Sequence, residues 1–228
     1  MTIAVDRRRL LAGTAAMGLA GVVAPGWRAE AQAAPRSNIA VRVERDPEVI
    51  DPGFRTGPHD GNICRVVYQR LIRHQANSGE MELDAAAELT QTSPTILDFR
   101  LKPGQMFTDG FGEMTAEDVK FSFERIGLEP AAGGRPSPYR GDWAGLQRVE
   151  VTGQYTGRIV LARPNAGVMG IALGDVSGCI VSKRAVEQRG VEHNTRPVGS
   201  GPYALASLER QRGAVLRASP SHAGARPL

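Results

Sequence analysis

Between residues 97 and 126 the spacing of apolar side chains changes from two residues to about 3.6, and few folds accommodate that change over so short a distance. Leu97, Phe99 and Leu101 alternate with Asp98, Arg100 and Lys102, which puts the apolar three on one face of a strand. Val119, Phe123 and Ile126 then recur at i, i+4 and i+7, a single stripe along a helix. A strand and a helix that are each apolar on one side must bury those sides against a neighbour. The helix is therefore expected to dock on a sheet.

The same region, FTDGFGEMTAEDVKFSFERI at residues 107–126, concentrates acidic groups, so it is also a candidate for metal binding or acid/base chemistry. A calcium loop needs oxygen ligands at alternating positions and a terminal Glu, a spacing that Asp109, Glu113 and Glu117 lack. Sequence alone leaves a catalytic carboxylate pair open. Yet each acid already has a scaffold role: Asp109-Gly110 makes a turn, Thr115 caps a helix, and Glu117 and Asp118 sit in its first turn near the orphan N–H groups. The scaffold reading is preferred.

Along the rest of the chain, residues 38–45 (NIAVRVER) alternate apolar Ile39, Val41 and Val43 with polar neighbours, the period of a half-buried strand, and Asp51-Pro52-Gly53 ends the run. Asp60 is expected to cap a helix with Ile63, Val66, Val67 and Leu71 on one face. Residues 83–89 show no clear period. Pro103-Gly104 signals a hairpin turn, with Met106-Phe107 resuming an extended run. Strands are expected near residues 148–152 and 158–162, and an irregular surface loop over the Gly- and Pro-rich stretch AAGGRPSPYRGDW. Cys179, Ile180 and Val181 suggest a short buried strand, residues 183–189 a helix ended by Gly190, and residues 203–208 and 214–218 two further strands after a Gly-rich turn. Strands and helices mix without regular alternation, which points to a mixed α/β (α+β) fold.

The first 33 residues read as an export signal: Arg7-Arg8-Arg9, an uncharged stretch from Leu10 to Trp27, then Ala31-Gln32-Ala33. Either the general secretory or the twin-arginine route fits. A membrane anchor is disfavoured because Ala and Gly contribute little transfer energy. Cleavage after Ala33 would leave 24 basic and 22 acidic residues. The net charge of +4 on the whole chain therefore gives no footprint for a nucleic acid. An exported protein without a Cys at the cleavage point is expected to be free in the periplasm.

Cys64 and Cys179 could pair in an oxidising compartment, but two unrelated buried thiols are favoured, since connectivity does not follow from spacing. His59, His74, His193 and His222 have no metal-ligand spacing with either Cys. No cofactor or metal is expected.

Several short motifs, in order, carry a resemblance. They are Asp51-Pro52, Val67-Tyr68-Gln69-Arg70-Leu71, Leu101-Lys102-Pro103-Gly104, Phe107-Thr108-Asp109-Gly110, Thr115-Ala116-Glu117-Asp118-Val119, Phe121-Ser122-Phe123 and Pro197-Val198-Gly199-Ser200-Gly201-Pro202-Tyr203. Together they are similar to the family 5 extracellular solute-binding proteins, the dipeptide, oligopeptide and nickel receptors of bacterial ABC importers. Ile50 stands where the family usually has Leu, and Gln69 where it has Glu.

The resemblance implies a periplasmic binding protein type II-like fold. Residues 38–55 would begin lobe one, 56–165 form an inserted subdomain, 166–218 return to lobe one, and 219–228 form a tail. A second lobe, which such receptors close over their ligand, is expected to be absent, so a truncated and impaired receptor is expected. The implied partners are a peptide or other small-molecule ligand and an inner-membrane ABC permease, with a monomer as the expected state. Ligand-facing backbone is expected at Arg45, Asp46, Glu48 and Val49 and at Gly199, Gly201 and Tyr203; the competing readings are a solvated loop and a tight turn between strands. A secreted hydrolase is the alternative, but no Gly-x-Ser-x-Gly elbow or His-Glu-x-x-His helix occurs. A binding or chaperone-like module is a third reading. No enzymatic activity is expected.

Overall fold

A computed structural model describes residues 45–75, 77–130, 134–209 and 211–222. The expected leader at residues 1–33, the strand before Arg45 and the end of the tail lie outside the described residues. The described elements run in the order α1 (Pro58–Val67), β1 (Ile72–His74), β2 (Met81–Leu83), β3 (Ala86–Ser93), β4 (Ile96–Leu101), α2 (Ala116–Gly127), β5 (Leu146–Val151), β6 (Thr156–Leu161), α3 (Lys183–Arg189), β7 (Tyr203–Glu209) and β8 (Gly213–Ala218). Short 3-10 turns and one π-helical turn, Val168–Leu173, lie between them.

The central sheet is antiparallel with strand order β3-β4-β6-β5. Leu97, Phe99 and Leu101 of β4 are buried, as their alternation requires. Helix α2 lays its stripe of Val119, Phe123 and Ile126 into the same core. Its start is held by Asp118, whose carboxylate accepts the Thr115 backbone N–H at 2.9 Å and the Thr115 hydroxyl at 3.1 Å. A second core joins Ile50, Ile63, Cys64, Val67 and Tyr68 to Val176, Cys179 and Val181, with Leu205, Leu208 and Leu216 of the β7–β8 hairpin packed on it.

The structure corrects several local expectations. Met106 and Phe107 do not fold back on β4 across Pro103-Gly104: both edges of β4 are already occupied by β3 and β6. They pair forward instead, Met106 with Glu113 and the Phe107 N–H with the Gly112 carbonyl at 2.8 Å. Residues 83–89 divide into the end of β2 and the start of β3. Asp60 is not the cap of α1; Gly57 occupies that position, and Asp60 is a buried first-turn residue. Leu71 lies beyond the end of α1, though it is buried.

The Gly- and Pro-rich stretch is not merely surface loop. Trp143, in the 3-10 turn Arg140–Trp143, is buried with its ring 4.4 Å from that of Phe123, and its indole N–H donates to the Ser177 carbonyl at 3.1 Å. An aromatic of that size outweighs the local turn signals, because burying it is worth about 2–3 kcal/mol. Cys179 lies in no strand; it makes an isolated bridge to Arg70 after a 3-10 turn. Helix α3 falls where expected, with Ser182 accepting the Ala185 N–H and Gly190 following at φ 53°.

Candidate functional site

The expected ligand-facing residues are brought together only in part, through the elements to which each is tied. Arg45 and Glu48 are exposed, and Asp46 and Val49 half-buried. The Asp46 carboxylate accepts the Gln211 N–H at 2.5 Å in the β7–β8 turn, where Gln211 has φ 63°. The Glu48 N–H donates to buried Asp60 at 2.9 Å. Asp60 also accepts the Thr56 N–H and hydroxyl, each at 2.8 Å. Sequence reasoning gave Asp60 a capping role; its actual work is to fasten the segment before α1 to the helix.

Gly199, Gly201 and Tyr203 are buried. A Cβ at Gly199 would stand 2.0 Å from the Val67 carbonyl oxygen, and one at Gly201 would stand 2.6 Å from that of Val66. The Gly201 N–H donates to the Val67 carbonyl at 2.8 Å, and the Thr108 N–H to the Gly199 carbonyl at 2.9 Å. The glycines therefore let one backbone lie directly on the end of α1. Close packing accounts for both of them.

Two hollows flank this turn. The first, about 490 Å³, is bordered by Asp109, Arg189, Arg196 and residues 205–208 of β7. The second, about 350 Å³, is bordered by Gln69, Arg73, Asp84, Lys102, Gln105 and His222. His222, in the segment after β8, reaches it and is tied to the Gly-rich turn, with Nδ1 3.1 Å from the Ser200 carbonyl. A carbonyl oxygen can only accept, so Nδ1 carries the proton. None of the seven expected residues borders either hollow.

Three polar arrangements were not legible beforehand. The Arg55 guanidinium lies 3.4 Å from the centroid of the Tyr139 ring, whose hydroxyl donates to the Arg55 carbonyl at 3.0 Å. Asp51 and Arg125 form a buried ion pair, and the Asp51 carboxylate also accepts the Gly53 N–H. Tyr68 donates to the Ile50 carbonyl at 2.9 Å, so its single proton is used there, and its oxygen accepts from His193 Nε2 at 3.1 Å. Burial pushes the His193 pKa down to about 4 and the Tyr68 hydroxyl well above its usual range.

In the acidic run at residues 107–126, Asp109, Glu113, Asp118 and Glu124 each have a partner within the fold. Asp109 occupies a left-handed turn at φ 57° and pairs with Arg189 at 2.7 Å, and Asp118 holds helix starts. Among the described residues no cluster of three or more His, Cys, Asp or Glu side chains could hold a metal ion. Cys64 and Cys179 are free and buried. Among the described residues no helix is long and apolar enough to cross a membrane.

Comparison with known proteins places this geometry. The chain is 26% identical over 223 residues to the probable D,D-dipeptide-binding periplasmic protein DdpA of Escherichia coli K12, covering 92% of this chain and 41% of that one. It is 29% identical over 216 residues to di/tripeptide-binding protein 2 of Pseudomonas aeruginosa UCBPP-PA14, covering 86% and 40%. Its structure matches that of the binding protein MoaA from A. tumefacien R10, solved with mannopinic acid, at a TM-score of 0.70 and 29% identity, covering 78% of this chain and 36% of that one. The mixed α/β arrangement is thus part of a periplasmic binding protein type II fold. The chain spans about two fifths of the length of these curated relatives. Residues 80–227 match the profile of the bacterial extracellular solute-binding proteins, family 5 Middle, and the chain belongs to that family.

Proposed function

We propose that this chain supplies part of the solute receptor of a bacterial ABC importer, acting in the periplasm on short peptides or related small polar solutes. The family match over residues 80–227 carries the reading, and the dipeptide and di/tripeptide receptors among its relatives support the solute class. Recognition would proceed by hydrogen bonding and closure around the solute, with delivery to an inner-membrane permease and no bond made or broken.

Within that reading, residues 38–55 begin lobe one, 56–165 form the inserted subdomain and 166–218 return to lobe one. Arg45, Asp46, Glu48 and Val49, together with Gly199, Gly201 and Tyr203, present backbone toward the solute. These residues alone supply one wall of a cleft. A solute held on one side forfeits much of the burial that an enclosed pocket provides, so this span is expected to bind more weakly than a two-lobed receptor. Titration calorimetry on the 228-residue chain with D-Ala-D-Ala, mixed L-dipeptides and tripeptides tests the reading. Heats that saturate in the millimolar range are expected; micromolar or tighter binding would refute the one-walled account, and no heat with any peptide would refute the solute class.

A further inference from the structure

Ile50, which ends the expected solute-facing segment, is held at both of its backbone groups by a chain of three hydrogen bonds. Its N–H donates to the Asn194 carbonyl at 2.7 Å, and its carbonyl accepts the Tyr68 hydroxyl at 2.9 Å. The Tyr68 oxygen in turn accepts the His193 Nε2 proton at 3.1 Å. Ile50 is thus fastened to the residue that closes α1 and to the 3-10 turn Gly190–Asn194. Upstream, Asp46 and Glu48 are held separately, by Gln211 and Asp60. His193 therefore bears on the Ile50 end of the segment alone.

The turn that carries His193 lies on the surface with one side chain driven inward: Val191 is 84% exposed and His193 only 1%. Gly190 starts it at φ 53°, a left-handed conformation that glycine adopts without strain. Ile50 and Tyr68 belong to the second core, while the central sheet is built on the first. A change at His193 can act on the second core without unpairing that sheet.

His193 is also the member of this chain of bonds that can gain a charge between neutral and acid pH. Burial opposes that charge; Asp51, in the segment before α1, favours it, and Arg125 of α2 and Arg189 of α3 oppose it. Asp51 is already paired with Arg125, and the Tyr68 hydroxyl stays neutral. The folded value is about 4, against about 6.5 for an exposed histidine. Acid therefore favours any arrangement in which the ring reaches water.

We propose that His193 is a positioning residue: through Tyr68 and its own turn it fixes the Ile50 end of the solute-facing segment 45–49, and acid frees that end by driving the ring outward. Freed backbone no longer holds its place in the wall of the cleft, so solute binding weakens at low pH. The inference rests on the reading of residues 45–49 given above and adds a means of regulation to it.

The test is amide hydrogen exchange by NMR on the full ¹⁵N-labelled chain at pH 7.5 and 4.5, with each rate divided by that of an unstructured peptide at the same pH. The Ile50 amide reports the release directly. Its protection in the wild type should fall between the two pH values by about fiftyfold more than in H193Q, whose side chain keeps an N–H for Tyr68 but takes up no proton. In the wild type alone, Ile50 should exchange faster at pH 4.5 than the amides of β4 and respond less to about 1 M urea, as a local opening does. Equal falls in the two proteins, or Ile50 exchange that follows β4 in urea, would overturn the proposal. Calorimetry with mixed L-dipeptides at both pH values then separates the readings. Weaker binding at pH 4.5, with a smaller effect in H193Q, supports control of the solute site; binding unchanged by a confirmed release overturns that control. No heat at either pH refutes the solute class, while the exchange rates still decide whether acid frees Ile50.

Discussion

The Asp118 carboxylate joins the starts of two helices far apart in sequence: one oxygen accepts the Lys183 backbone N–H at 2.9 Å, while the other accepts the N–H and hydroxyl of Thr115. Helices α2 and α3 thus share one acceptor. Burial raises the Asp118 pKa above its usual range, and the hydrogen bonds from Thr115 and Lys183 oppose that rise.

Replacing Asp118 should accordingly be worse than replacing the cap residue. Asp118→Ala leaves two half-buried backbone donors without this acceptor and is expected to cost about 2 kcal/mol. Thr115→Ala removes one hydroxyl contact and should cost about 1 kcal/mol, with no selective loss of solute binding. Urea denaturation of both variants checks the order. A Thr115→Ala protein as stable as wild type but unable to bind solute would return the acidic stretch to the functional column.

Gly199 offers a second comparison, because a methyl group there would overlap the Val67 carbonyl, whereas at Gly141 it would meet nothing within 4 Å. Gly199→Ala should destabilise by about 3 kcal/mol or more through forced separation of the turn from α1, and Gly141→Ala should fall within about 0.5 kcal/mol of wild type. Thermal melts of the two variants decide it. Equal stability would mean that the turn is not seated on the helix end.

How much of this was written in the sequence depends on the distance over which each contact acts. The strand of Leu97, Phe99 and Leu101, the stripe of Val119, Phe123 and Ile126, and the helix over 183–189 ended by Gly190 were legible because period and terminators are local signals. Trp143 was not, since its partners Phe123 and Ser177 lie 20 and 34 residues away and its neighbours are turn formers. The same holds for Asp46, whose partner Gln211 is 165 residues distant, and for the Arg55–Tyr139 stack. Motif order pointed to the family, but a glycine-rich turn does not announce how closely another backbone approaches it; the contact between Gly199 and the Val67 carbonyl appears only in the fold.

The two thiols yield a chemical prediction. Burial pushes the Cys179 pKa up to about 11 and raises that of Cys64 well above its usual range, so little thiolate exists at neutral pH and reagents cannot reach it. Native protein should release no colour from Ellman's reagent over minutes at pH 7.5, and two equivalents per chain after guanidinium unfolding. No colour from unfolded, unreduced protein would show that the cysteines pair.

His193 should make stability depend on pH in a defined window. Its Nε2 proton is committed to Tyr68, and the buried Nδ1 has no partner among the described residues. Burial is the main obstacle to a second proton, which would arrive at Nδ1 without an acceptor; the charge of Asp51 favours it, and those of Arg125 and Arg189 oppose it. The folded-state pKa of about 4 lies below the unfolded value of about 6.5, so between those two values the unfolded chain binds more protons. Stability from this group is complete above about pH 6.5, declines as pH falls, and is lost by about pH 4, for a total on the order of 3 kcal/mol. Urea midpoints at pH 7.5, 5.5 and 4.5, compared between wild type and His193→Gln, isolate the effect from that of the carboxylates. The wild type should lose more stability than the variant across that range, whereas parallel curves would show that His193 takes up its proton as readily in the folded protein as in the unfolded chain.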